Sequence, residues 1–179
     1  YVLVMPEKVV IDNFLPSTRS MLITKTAWET NGKFPPEYSH NEDYVFAKRL
    51  VKNNIRITFC KNAVISWIPR KNLLKAAQMF YRFALGDAQA LIFRPKVILI
   101  FARYLAALVL FFESYLWVLF LLVVMYIAWA VLKNLKHTTN LITIFWLPVI
   151  QITSDIAVIL GTLTGVVVFP KFLFRRGVK

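Results

Sequence analysis

The spacing of apolar residues changes twice along the chain. Up to residue 70 they come in short groups between polar and turn residues. Met21, Leu22 and Ile23 make 20–24 a short buried strand by length. Residues 56–59 and 63–67 read as further short strands, and 1–5 and 9–11 as strand or buried connector. Thr26-Ala27-Trp28-Glu29 has capping-box spacing and Gly32 is placed as a stop, which predicts a short helix near 25–31. Pro35-Pro36 then enforces a loop. A second helix is predicted over 44–52, capped by Asn41 or Asp43, with Lys48, Arg49 and Lys52 toward its C-terminal end. This mixture predicts an α/β fold class for the globular part.

From 71 to 91 the period becomes helical. Leu73, Ala77, Phe80, Tyr81, Ala84, Ala88 and Leu91 recur at steps of three and four, while Lys71, Lys75, Gln78 and Arg82 line the other face. Such a helix lies on a protein surface or in the headgroup layer. The third regime is continuous. Residues 97–132 are apolar except for Arg103, Glu113 and Ser114. A span takes about 20 residues, so this run predicts a hairpin breaking near Glu113-Ser114. Arg94 and Lys96 before it, and Lys133 and Lys136 after it, mark the cytoplasmic side. A third apolar segment, 141–169, contains Pro148, predicted to break it, and a Gly161–Gly165 pair with the spacing of close helix packing. Gln151, Asp155, Thr162 and Gly165 share one of its faces. The basic tail after it, with Lys171, Arg175, Arg176 and Lys179, favours a re-entrant or interfacial segment, or one packed on the hairpin, over a full crossing. The organisation expected is a globular part over 1–70, an amphipathic interfacial helix over 71–94, a transmembrane hairpin over 95–133, a third membrane-associated segment over 141–169 and a basic tail over 170–179.

Composition agrees. The chain has 179 residues, is 58% hydrophobic and has a mean hydropathy of +0.58, which excludes an ordinary soluble domain. The net charge of +13 suits an anionic cytoplasmic leaflet. Basic residues flank apolar spans instead of forming one dense patch, which argues against nucleic acid as a partner. A single cysteine, Cys60, excludes an internal disulfide and favours a reduced, cytosol-facing globular part. His40 and His137 are far apart, without zinc-ligand spacing. The chain opens on Tyr1 inside an apolar stretch, so we expect a fragment that lacks an N-terminal part.

Candidate chemistry concentrates in Ser39-His40-Asn41-Glu42-Asp43-Tyr44, which puts two adjacent carboxylates at a helix mouth. The helix dipole and free N–H groups hold a carboxylate ionised there, the state a general base needs. The plainer role for Asp43 is a helix cap. Gln78 and Arg82 are four apart on one face, and a guanidinium suits a diphosphate; a solvated polar face is the alternative. Arg19 has the same two readings, phosphate or acceptor contact against a local salt bridge.

Five pieces occur in one order: Pro16-Ser17-Thr18-Arg19-Ser20; Ala27-Trp28-Glu29-Thr30-Asn31-Gly32-Lys33-Phe34-Pro35; Glu42-Asp43 with Lys48-Arg49-Leu50; Ala63-Val64-Ile65-Ser66-Trp67; and Gln78 through Gly86-Asp87. With apolar helices following, 16–87 resembles the acceptor-side half of membrane-anchored family 2 glycosyltransferases. The resemblance implies the C-terminal part of a type-A glycosyltransferase fold, α/β, followed by a helical membrane region. It implies Asp43 as the base that deprotonates the acceptor hydroxyl for inverting attack, Glu42 as its neighbour, and Arg19, Gln78 and Arg82 as substrate-binding residues. The implied partners are a nucleotide-diphospho-sugar donor, a lipid-linked or polysaccharide acceptor, and membrane lipids. The implied location is a multi-pass cell-membrane protein with its globular part cytoplasmic. A divalent metal, Mg or Mn, is implied for the complete enzyme, held by an Asp-x-Asp upstream of anything in this sequence.

Departures from the family are specific. Asn31-Gly32 stands where Gly-Gly is common, and Trp67 lies near where many members carry a His. Processive relatives have Gln-x-x-Arg-Trp; here Gln78 and Arg82 are one residue further apart and Phe83 replaces the Trp. Two rivals come from other classes. A non-enzymatic basic membrane anchor that recruits a partner makes Asp43 dispensable. A transporter fragment needs polar groups paired across several spans, and only Arg103, Glu113 and Asp155 are available.

Overall fold

The computed structural model describes residues 15–18, 20–38, 40–60, 62–63, 65, 70–92, 94–135, 140 and 142–177, with side chains described as far as 169. Six α-helices follow one another: α1 (Lys25–Thr30), α2 (Glu42–Lys52), α3 (Leu73–Gln89), α4 (Pro95–Phe112), α5 (Leu116–Leu135) and α6 (Ile142–Gly177).

No strand occurs among the described residues, which overturns the α/β expectation. A strand exists only where a neighbour pairs with its N–H and C=O groups. Segments 20–24 and 55–58 do come together, flanking a cleft of about 270 Å³, but form no ladder. Leu22, expected to be buried, is fully exposed. Length and β-branching identify an extended segment; they do not supply its partner. Residues 1–5, 9–11 and most of 63–67 lie outside the described residues.

The two short helices form where expected, with different caps. Thr24, not Thr26, opens α1: its hydroxyl accepts from the Ala27 N–H at 3.2 Å. Gly32 closes it at φ 79°, a conformation that suits glycine. Asn31 is buried and ties the ends of α1 and α2 together, donating to the Ala27 carbonyl at 2.7 Å and accepting from Asn53 at 2.8 Å. Trp28, Phe34 and Phe46 stack edge to face, with ring centroids 6.4 and 5.0 Å apart. Phe46, Ala47 and Leu50 of α2 are buried in this small core.

α4 and α5 meet at a tight turn. Pro95 sits in the first turn of α4, where its missing N–H costs nothing. Ser114 turns the chain at φ 62°, and the Tyr115 N–H returns to the Leu110 carbonyl at 2.9 Å. Both helices are apolar almost all round and largely exposed. With the 142–169 stretch of α6, three helices are long and apolar enough to cross a membrane, which marks this as a membrane protein. Pro148, expected to break the third segment, sits inside a continuous α6. Membrane helices tolerate an internal proline where neighbours satisfy the freed carbonyl.

Two contacts organise the membrane part. Gly161 and Gly165 seat α3 rather than another span. A Cβ on Gly161 would lie 2.3 Å from the Tyr81 carbonyl oxygen, and one on Gly165 would lie 2.6 Å from Ala88 Cβ. Residue numbers rise together along this contact, so α3 and α6 run in the same direction. The second contact is polar. Asp155 is 1% exposed and accepts from Arg103 of α4, Tyr126 of α5 and Gln151 of α6. Arg103 also lies over the Tyr126 ring, 4.2 Å from its centroid. A charge in hydrocarbon is costly unless paired, and this pairing joins three helices.

Candidate functional site

The site begins at the N-terminus of α2. Asn41 is the residue before the helix, in the left-handed conformation at φ 63°, which asparagine tolerates. Its side chain does not cap α2. It reaches α3 instead, donating to Asp87 Oδ1 at 2.9 Å and to the Phe83 carbonyl at 3.3 Å. Asp87 is buried and grips Arg94 through two bonds, at 2.5 Å from Nε and 2.9 Å from Nη2. The Arg94 guanidinium in turn lies 5.8 Å from the centroid of the Tyr44 ring. Gly86 makes the approach possible, since a Cβ there would fall 2.9 Å from His40 Cβ and 3.1 Å from the His40 carbonyl oxygen. The chain from His40 to Tyr44 is thereby fastened to α3.

Glu42 and Asp43 occupy the first turn, so α2 starts two residues earlier than the apolar pattern predicts. Asp43 is not the cap. Its Oδ1 accepts from the Tyr44 N–H at 2.8 Å, and its Oδ2 from the Thr18 N–H at 3.1 Å and the Thr18 hydroxyl at 3.4 Å. Thr18 belongs to the same sequence piece as Arg19, which lies outside the described residues.

On the other side of His40 is a cavity of about 370 Å³, lined by His40, Arg70, Lys75, Gln78, Met79 and Arg82. Gln78 and Arg82, four apart on one helical face, both line this cavity. Asp43 does not line this cavity; the sequence segment that carries it does, through His40. Burial and the positive charge of Arg82 push the His40 imidazole below its usual pKa, and the Glu42 carboxylate opposes them. The imidazole thus feels both the cation of α3 and the acid of α2.

Sequence reasoning missed His40, Arg70 and the Asn41–Asp87–Arg94 link. The link joins positions 46 apart, and no local period reports it. Lys75 was legible: with Gln78 and Arg82 it keeps steps of three and four on one face.

No protein-family model, curated protein or solved structure matches the chain. Among the described residues no three His, Cys, Asp or Glu side chains converge to hold a metal ion.

Proposed function

We propose that the chain supplies the acceptor-side base and the membrane anchor of an inverting glycosyltransferase. The enzyme would move a sugar from a nucleotide-diphospho-sugar to a lipid-linked or polysaccharide acceptor at the cytoplasmic face of a cell membrane. The observation that carries this reading is the fastening of the Glu42–Asp43 helix start onto α3, beside the Gln78–Arg82 cavity. The motif pieces of the resemblance are far apart in sequence, and two of them meet here.

The chemistry follows from the geometry. Asp43 sits on the N-terminal turn of α2 and accepts from two N–H groups. It takes the proton of the acceptor hydroxyl as that oxygen attacks the anomeric carbon. The bond from the anomeric carbon to the diphosphate oxygen breaks on the opposite face. The nucleoside diphosphate leaves with the electron pair, and the configuration inverts. Arg82 and Gln78 bind diphosphate or acceptor on the α3 side, and Glu42 opposes the field of Arg82 at His40.

One observation favours the rival, a non-enzymatic membrane anchor: both Asp43 oxygens are already engaged within the chain. Incubating membranes that contain the complete enzyme with a panel of labelled nucleotide sugars separates the two. Transfer predicts label in a lipid or polysaccharide fraction from at least one donor, above membranes that lack the protein. No label from any donor removes the enzyme reading.

A further inference from the structure

α3 ends on a turn that breaks a local rule. The Ile92 N–H returns to the Asp87 carbonyl at 2.8 Å and the Leu91 N–H to the Ala88 carbonyl at 3.2 Å, the pair of bonds that closes a helix around one left-handed residue. That position favours glycine, because a Cβ there crowds the backbone. Here it holds Leu91, at φ 53° and 59% exposed. No burial within the chain offsets the strain. Pro95, a few residues on, opens α4, which is long and apolar enough to cross a membrane. Leu91 is thus held outward beside the point where the chain enters the bilayer.

Leu91 and Ile92 form one wall of a cavity of about 310 Å³, and α2 faces them with Lys48, Arg49 and Lys52. The three cations share a helical face, at steps of three and four. Among the described residues no carboxylate lines this cavity, and none of the three cations has an ion-pair partner. Lys48 Nζ lies 4.9 Å from the centroid of the Tyr44 ring, and Arg49 gives one N–H to the Gly32 carbonyl at 3.4 Å. These contacts hold both side chains without neutralising them.

We propose that this cavity is the headgroup site of an anionic phospholipid, in which Lys48, Arg49 and Lys52 bind the phosphate and Leu91 and Ile92 meet the apolar part of the lipid. A phosphodiester offers two charged oxygens, which suit one guanidinium fork and two ammonium point charges. Basic residues beside a membrane helix attract anionic lipid. A soluble phosphate satisfies the cations but leaves Leu91 in water; a lipid satisfies both. The site shares no lining residue with the Gln78–Arg82 cavity, and the inference does not rest on the transfer reading.

The test uses the full chain in uncharged detergent micelles, with bound lipid counted by native mass spectrometry. The probes are dioleoyl phosphatidylglycerol, dioleoyl phosphatidylcholine, which has the same chains and no net charge, and soluble glycerol phosphate. The first phosphatidylglycerol should bind about tenfold tighter than the first phosphatidylcholine. Lys48→Gln/Lys52→Gln should abolish that preference with helix content unchanged, whereas Lys133→Gln, at the end of α5, should keep it. Leu91→Gly supplies the residue that the backbone prefers. It should hold or raise the melting temperature, yet weaken phosphatidylglycerol binding several-fold. A purely structural Leu91 would leave binding unchanged, and that result overturns the proposal. Equal binding of the two lipids overturns it too, as does a preference that survives Lys48→Gln/Lys52→Gln. Glycerol phosphate that displaces the lipid at equal affinity assigns the cations to a soluble anion and also overturns it.

Discussion

Asn41 and Asp87 are 46 residues apart and joined side chain to side chain at 2.9 Å. That bond, with the Gly86 contact beside it, lets a helix resting on a membrane segment fix the start of the helix that carries Glu42 and Asp43. Asp87→Ala should free Asn41 and leave Arg94 without its partner. Arg94 is half-exposed, so the expected cost is modest, about 1–3 kcal/mol. The sharper readout is local: amide exchange over 40–46 should rise while exchange in α4 and α5 stays unchanged.

Gly161→Ala tests the grip of α6 on α3. The added methyl meets the backbone of Tyr81, which cannot yield as a side-chain end would. Overpacking of this kind costs about 1–3 kcal/mol. A lowered melting temperature and faster exchange in α3 are expected. Leu160→Ala, on the exposed face next to it, should change both far less.

In the membrane part, Asp155→Asn should be more harmful than removal of the whole pair. It leaves Arg103 charged and without its counter-ion, and breaking a buried pair costs about 3–5 kcal/mol. Arg103→Met/Asp155→Leu should recover much of that loss. Thermal unfolding of Arg103→Met, Asp155→Leu and the double variant, in one detergent, gives the coupling. Additive losses would remove the ion pair from the account.

His40 gives a pH signature. Burial and Arg82 lower its folded-state pKa beneath 6.5, and Glu42 works against them; Arg70 and Lys75 line the same cavity. The unfolded chain then binds the proton more readily. The stability linked to His40 is present in full above about pH 6.5 and is lost as pH falls through the lower folded value. Arg82→Gln removes that cation and should move the His40 titration upward. Ring resonances in a His137→Gln background report the midpoint with and without Arg82. An unmoved midpoint in Arg82→Gln contradicts the placement of His40 beside Arg82.

The helical part of this architecture was legible because it is local. The period of 3.6 residues along α3, the length of the apolar run and the polar break at Glu113-Ser114 each write an element into adjacent positions. The same period put Lys75, Gln78 and Arg82 on one face. The strands were misread because a run such as Met21-Leu22-Ile23 states a preference, while pairing depends on another segment. Asn41 was expected to cap α2 if anything, and nothing nearby reports that its amide turns to Asp87. The Gly161–Gly165 spacing announced a close contact without naming α3 as the partner.

The central claim is that Asp43 acts as the base, and the Asn and Ala variants at this position test it most directly. In the complete protein, Asp43→Asn keeps the shape but cannot take a proton at neutral pH, and its amide accepts on one side only, so it gives up the N–H bond from either Tyr44 or Thr18. Loss of a general base costs about a hundred- to ten-thousand-fold in rate. We therefore expect sugar transfer to fall by that much in Asp43→Asn, with donor affinity near wild type. Asp43→Ala, which also loses the Thr18 contacts, should be inactive and less stable by about 1 kcal/mol. Near-wild-type transfer by Asp43→Asn, with only the Ala variant impaired in stability, would contradict the claim and leave Asp43 as a residue that holds Thr18 against α2.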